Sequence, residues 1–301
     1  MRWNDNLRSD NIRNRRGEGG RSFGAGAGGM GVAFMALRFV FSRFGLGGVA
    51  LLVGGFFLLN MMGVNLLGGG GVGAVGGGGQ AAPGATSRYD EEISAVLAST
   101  ERVWTDQFAR YDLGDYPEPV LNLFSGGIQT QGCGFASSAV GPFYCPGGRQ
   151  IYIDTDFFDQ LDRQLGAPGD FARAYVVAHE VGHHVQTVTG VSDQIRQMQA
   201  SSRSQADQNE AQVRMELMAD CFAGVWASNA AASGLQLEEG DIQEGLRAAN
   251  EIGDDTLARE AGRRVSPDSF THGSSEQRRR WLEIGYRSGD MQACDTMSGS
   301  I

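Results

Sequence analysis

The chain has no lysine, so all 25 of its basic residues are arginine, an absence that by itself excludes no function. Histidine and cysteine are scarce, at four each, which confines imidazole and thiol chemistry to a few positions. The cysteines (Cys133, Cys145, Cys221, Cys294) never fall in a Cys-x2-Cys pair, which argues against a structural zinc ribbon. No repeat of solenoid period occurs. Charge is missing altogether from residues 44–87.

That uncharged stretch is longer than a soluble core helix tolerates. Residues 46–67 are apolar apart from Asn60, Asn65 and several glycines. About 22 residues at about 1.5 Å each reach roughly 33 Å, the thickness of a hydrocarbon core. A cleaved signal peptide has a shorter apolar region and an A-x-A-like site close behind, which is not found here. The expectation is one retained transmembrane helix over residues 44–67.

Net charge is −10 and unevenly spread. Residues 1–43 carry eight arginines against Asp5, Asp10 and Glu18, a surplus of five positive charges, so the remainder carries −15. An acidic bulk repels phosphate backbones and excludes a nucleic-acid partner. Arginines before the span predict a cytoplasmic N-terminus, with residues 88–301 outside the cytoplasm. Four segments follow: a disordered Arg-rich cytoplasmic segment (1–43), the transmembrane helix (44–67), a Gly-rich linker (68–87) and a folded domain (88–301).

Within the folded domain, residues 90–111 show helical spacing (Ile93, Val96, Leu97, Val103, Trp104, Phe108). Residues 119–124 and 150–154 read as short strands separated by a loop-rich stretch. Asp170 is the expected N-cap of a buried helix over 171–189 that stops at Gly190. Further helices are expected over 205–229 and 241–252, and the capping box Ser274-x-x-Gln277 opens a last one to about Tyr286. The fold class is α+β, mostly helical with a small sheet.

The chemistry centres on His179-Glu180-Val181-Gly182-His183. On a helix, positions i and i+4 share a face, so both imidazoles can reach one Zn²⁺. Glu180 lies about 100° around the helix, where it reaches water at the metal rather than the metal itself, as a general base must. A zinc site needs a third protein ligand. His184 points away from the pair. Glu216 and Asp220 are also i and i+4, among Met215, Leu217, Met218, Cys221 and Phe222. Glu216 can complete a His₂Glu set for one zinc per chain, and Asp220 can hold a ligand imidazole in one tautomer. An acidic pair on a solvated face is the bland alternative, which the apolar neighbours disfavour. His272, just before the last helix, is either a donor to the oxyanion of a tetrahedral intermediate or a helix-entry or surface histidine; the sequence leaves both open. In an oxidising compartment the four cysteines allow three pairings. The preferred one joins Cys133 to Cys145, closing the loop between the strands, and Cys221 to Cys294, tying the Glu216 helix to the C-terminal tail.

Four motifs together carry a family resemblance: His179 to Gln186 (HEVGHHVQ), Gly141 to Pro146 (GPFYCP), Ala219 to Gly224 (ADCFAG) and Thr271 to Ser275 (THGSS). The chain resembles the bacterial family of predicted neutral zinc metallopeptidases over essentially its whole length, including the Arg-rich start and single span. It is similar more widely to thermolysin-like zincins of the glutamate type, whose Glu-x-x-x-Asp helix matches Glu216 and Asp220. The resemblance implies a minimal zincin-like domain on the periplasmic or extracellular side of a bacterial inner membrane, peptide or protein substrates, and a strand before the active helix, here 150–154, that pairs with substrate backbone. No His-x-x-Gly-x-x-His extension follows, which disfavours the metzincin type. The function so implied is a zinc-dependent endopeptidase in which Glu180 takes a proton from water activated by the metal. The rival readings are a catalytically silent zinc-binding scaffold of the same fold tethered to the membrane, and a pore component, which one span without ionisable groups does not support.

Overall fold

A computed structural model of the chain describes residues 1–18, 87–163 and 167–301. The expected transmembrane helix (44–67), nearly all of the linker, and residues 19–43 lie outside the described residues. Among the described residues no helix is long and apolar enough to cross a membrane.

The chain is α+β and mostly helical. Its elements are β1 (Arg2–Trp3), β2 (Ile12–Asn14), α1 (Asp90–Arg110), β3 (Val120–Phe124), β4 (Gly127–Gln129), β5 (Phe135–Ser137), β6 (Phe143–Cys145), β7 (Gln150–Asp154), α2 (Asp156–Arg163), α3 (Asp170–Val188), α4 (Val191–Ser201), α5 (Gln205–Ser233), β8 (Leu235–Gln236), α6 (Asp241–Glu251), α7 (Asp254–Glu260) and α8 (Ser275–Ser288). The main sheet has the order β2-β3-β7-β6, with β6 antiparallel to β7 and the other pairs parallel. The two small sheets are β1-β8 and the hairpin β4-β5.

Helix α3 is buried on nearly every side, from Phe171 to Gln186, as its lack of a polar face requires. It packs against α1 and α5, and α5 packs in turn against α8. Glycines set these crossings. A Cβ on Gly182 would stand 3.0 Å from Ala219 Cα, and one on Gly285 would meet the Cys221 carbonyl oxygen at 1.9 Å. The capping box is formed on both sides: Ser274 accepts from the Gln277 amide, and Gln277 accepts from the Ser274 amide. The disulfides are Cys133–Cys145 and Cys221–Cys294.

Three expectations need correction. Residues 1–18 are ordered and belong to the same compact unit as the rest of the folded chain. β2 extends the main sheet through parallel pairing with β3, Leu7 is buried, and the Arg16 guanidinium makes two bonds to Asp90, at 2.8 and 2.6 Å, on the first turn of α1. A segment that supplies a strand and a partly buried ion pair is not a disordered tail. The folded unit therefore draws on both flanks of residues 19–86. Asp170 is not the N-cap of α3; Gly169 is, and the Asp170 carboxylate instead accepts from the Met1 ammonium at 2.7 Å. Strand β7 is interior, paired on both sides, so it has no free edge for substrate; the edge on that side is β6. Strand order is a tertiary fact that the alternation of Ile151, Tyr152 and Ile153 does not contain.

Candidate metal centre

Helix α3 presents His179, Glu180 and His183, and α5 presents Glu216 to the same point. Glu216 Oε2 lies 3.2 Å from His179 Nε2 and 3.4 Å from His183 Nε2. Two ligands on one tetrahedral zinc at about 2.0–2.1 Å stand roughly 3.3 Å apart, so Glu216 stands at that spacing from both imidazoles. All three donor atoms lie within 4.8 Å of one another and have the chemistry of a His₂Glu set. Gly182 makes this convergence possible, because it lets the backbones of α3 and α5 approach at Ala219.

Each of the three side chains has its own polar partner. His179 Nδ1 lies 2.7 Å from Asp220 Oδ1, His183 Nδ1 lies 2.9 Å from the Gln186 side-chain oxygen, and Glu216 Oε1 accepts from Gln212 at 2.9 Å. These contacts take up Nδ1 of both rings and turn both Nε2 atoms toward the cluster. Gln186 also donates to the Met215 carbonyl on α5, locking the two ligand helices together. Asp220, fully buried, accepts from the Tyr175 hydroxyl at 2.5 Å and from Arg278 twice at 2.9 Å.

The electrostatics favour a cation at this point. Burial alone would lower His179, but Asp220, through charge and hydrogen bond, and Glu216 outweigh it and push its pKa up to about 10. Burial would raise Asp220, but Arg278 and His179 hold it at about 2. Glu216, also against the pull of burial, is held well below the carboxylate range by the two imidazoles. A field that retains a proton on His179 is one that stabilises a dication. Glu180 behaves differently: burial raises it, opposed by the imidazoles and by the Tyr144 backbone amide.

The cluster lies in a cleft of about 580 Å³, walled by β6 (Phe143, Tyr144), by α4 (Ile195, Gln199) and by His272. His272 is not a ligand. Its side chain is half exposed, its backbone amide donates to Asp254, and its Nδ1 lies 3.3 Å from the same carboxylate. His184 faces away from the cluster, as its helical position requires; Nε2 donates to the Pro117 carbonyl and Nδ1 accepts from the Tyr144 hydroxyl. A second carboxylate group, Asp170, Asp241 and Glu244, sits at the start of α3, and the Met1 ammonium pairs with two of its members.

Residues 1–297 match a family described as "Putative neutral zinc metallopeptidase". The chain belongs to that family. Among its relatives, the uncharacterized protein YpfJ of Escherichia coli K12 is 49% identical over 208 residues, covering 69% of this chain and 71% of that protein. The uncharacterized protein Rv2575 of Mycobacterium tuberculosis H37Rv is 44% identical over 198 residues, 62% of this chain and 65% of that protein. No solved structure gives a significant match.

The sequence assigned no role in the site to Arg278, Tyr175, Gln186, Gln212 or Asp254. Gln186 and Gln212 had a readable signal, since they stand at i+3 from His183 and i−4 from Glu216, one helical turn away. Arg278 had none, because it opens the run Arg278-Arg279-Arg280 and only packing decides which of the three is buried.

Proposed function

We propose that this member of the family is a zinc-dependent endopeptidase of the glutamate-type zincin class. The observation that carries the reading is the meeting of His179, His183 and Glu216, with Glu216 at zinc-ligand spacing from both imidazoles and Glu180 beside them, in the wall of an open cleft. Zinc held there supplies a Lewis acid and lowers the pKa of water at the site toward neutrality. Glu180 takes the proton of the attacking water and delivers it to the leaving amine. Burial raises its carboxyl above the usual range, the direction that suits a group which both accepts and returns a proton. His272, held by Asp254 in the cleft wall, donates to the oxygen of the carbonyl under attack. The substrate backbone pairs with the open edge of β6, whose Phe143 and Tyr144 line the cleft.

Two disulfides favour a location outside the reducing cytoplasm, and the uncharged stretch 44–67 is the proposed membrane anchor.

The test is digestion of a mixed peptide library by zinc-loaded wild type and Glu180→Gln, read by mass spectrometry. The wild type should cleave, and the variant should retain zinc while turnover falls about 10²- to 10⁴-fold. Undiminished cleavage by the variant removes Glu180 from its role. Zinc-loaded wild type that cleaves nothing in the library favours the scaffold reading.

A further inference from the structure

The two oxygens of Glu216 are treated differently by their surroundings. Oε2 faces both imidazole Nε2 atoms, while Oε1 takes a hydrogen bond of 2.9 Å from the Gln212 side-chain amide, one turn earlier on α5. The orientation of that amide is itself fixed. Gln199, on α4, donates to the Gln212 side-chain oxygen at 3.2 Å, so the Gln212 nitrogen is the end left to face Glu216. Gln199 also donates to the Gln208 carbonyl at 3.4 Å. A chain of amides thus runs from the α4 wall of the cleft to the metal-binding carboxylate.

We infer that Gln212 is a positioning residue that holds Glu216 to one-oxygen coordination, with Gln199 holding Gln212 in turn. The inference rests on the zinc reading of the site. A carboxylate with both oxygens free can pivot and grip an ion with both. That adds a protein ligand and takes up a position that a hydrolytic site keeps open for water and substrate. With Oε1 committed to Gln212, only Oε2 is presented. The arrangement also makes α4 more than a connector between the two metal-binding motifs, since it carries the outermost group of the chain.

The test uses the full chain with cobalt(II) as a spectroscopic substitute and zinc affinity by chelator competition. Wild type should show the intense visible bands of four-coordinate cobalt. Gln212→Leu should show the weaker bands of a five-coordinate site and a zinc affinity changed by about 10- to 100-fold, with Gln199→Leu shifted in the same direction by less. Gln212→Asn, polar but one methylene too short to reach Oε1, should behave like Gln212→Leu and serves if the leucine variant does not fold. Wild-type bands and wild-type affinity in folded Gln212 variants overturn the inference and leave the zinc site standing. A wild type that takes up no metal, or metal binding untouched by Glu216→Ala, overturns the site itself and the inference with it.

Discussion

Asp220 gathers three partners, the His179 ring, the Tyr175 hydroxyl and the Arg278 guanidinium, with no exposure to solvent. Its charge is needed as well as its shape. Asp220→Asn keeps an acceptor for His179 but leaves Arg278 buried without its counter-charge, at a cost of about 3–5 kcal/mol by the usual penalty for breaking a buried pair. Zinc affinity should fall about 10- to 100-fold as well. Thermal unfolding and chelator competition measure the two effects; a variant as stable as wild type contradicts this account of the pair. His184 makes a prediction in pH. Burial lowers its pKa to about 4, opposed by the Pro117 carbonyl and assisted by the Arg149 charge. The unfolded chain, with a value near 6.5, takes up the proton first as pH falls. The stability contributed by the neutral ring is therefore complete above about pH 6.5 and lost as pH falls toward 4, up to about 3 kcal/mol in all. In urea unfolding between pH 7 and 4.5, the stability gap between wild type and His184→Gln should narrow as pH falls. A constant gap would show that the ring's proton is not coupled to folding. At this scale the sequence was most legible where helical period links residues. His179 with His183, and Glu216 with Asp220, are each one turn apart. Asp254 beneath His272 and Tyr175 beside Asp220 depend on folding and left no local mark.

Among elements, the α3–α5–α8 stack places His179, His183 and Glu216, and glycine sets how closely its members pack. Gly285→Ala would drive a methyl group into the Cys221 carbonyl of α5, an approach that no rotamer change relieves, so the helices must separate. The expected cost is about 3 kcal/mol or more. Gly182→Ala is the finer probe, since its Cβ would meet Ala219 at 3.0–3.2 Å and push the two ligand helices apart by tenths of an ångström. It should weaken zinc binding out of proportion to its effect on the melting temperature of the metal-free protein. Equal zinc affinity in wild type and Gly182→Ala would mean that this close approach does not set the ligand geometry. The long helices were legible because their apolar spacing or burial runs over many turns. The strands β1, β2 and β6, at two or three residues each, are too short to show a period. Sheet order follows from which strands meet and cannot be read from any one of them, which is why the edge role passes from β7 to β6.

For the whole molecule, the first 18 residues matter most, because they complete the unit that carries the site. Arginine-rich composition reads as a tail, yet Arg16 is 3% exposed and pairs with Asp90, and Ile12–Asn14 pair in parallel with strand β3, more than a hundred positions away in sequence. Such long-range parallel pairing has no local signature. Arg16→Ala should destabilise the fold by about 1–3 kcal/mol, since it removes the counter-charge of the partly buried Asp90 and leaves it only the Ser87 amide among the described residues; calorimetry of the full chain checks it, and an unchanged melt would mean that residues 1–18 are not part of the cooperative unit. One packed unit also lies on one side of any membrane. In sealed membrane vesicles, residues 1–18 and the body from 87 onward should show the same protease accessibility, and opposite sidedness would contradict the packing described here.

The central claim is that His179, His183 and Glu216 form one zinc site. The most direct test is the metal content, by elemental analysis, of full-length wild type purified with zinc present, beside Glu216→Ala. About one zinc per folded wild-type chain, with marked loss in the variant, is the predicted result. Folded wild type that emerges metal-free from zinc-replete conditions, or a Glu216→Ala variant that holds zinc as well as wild type, would contradict it.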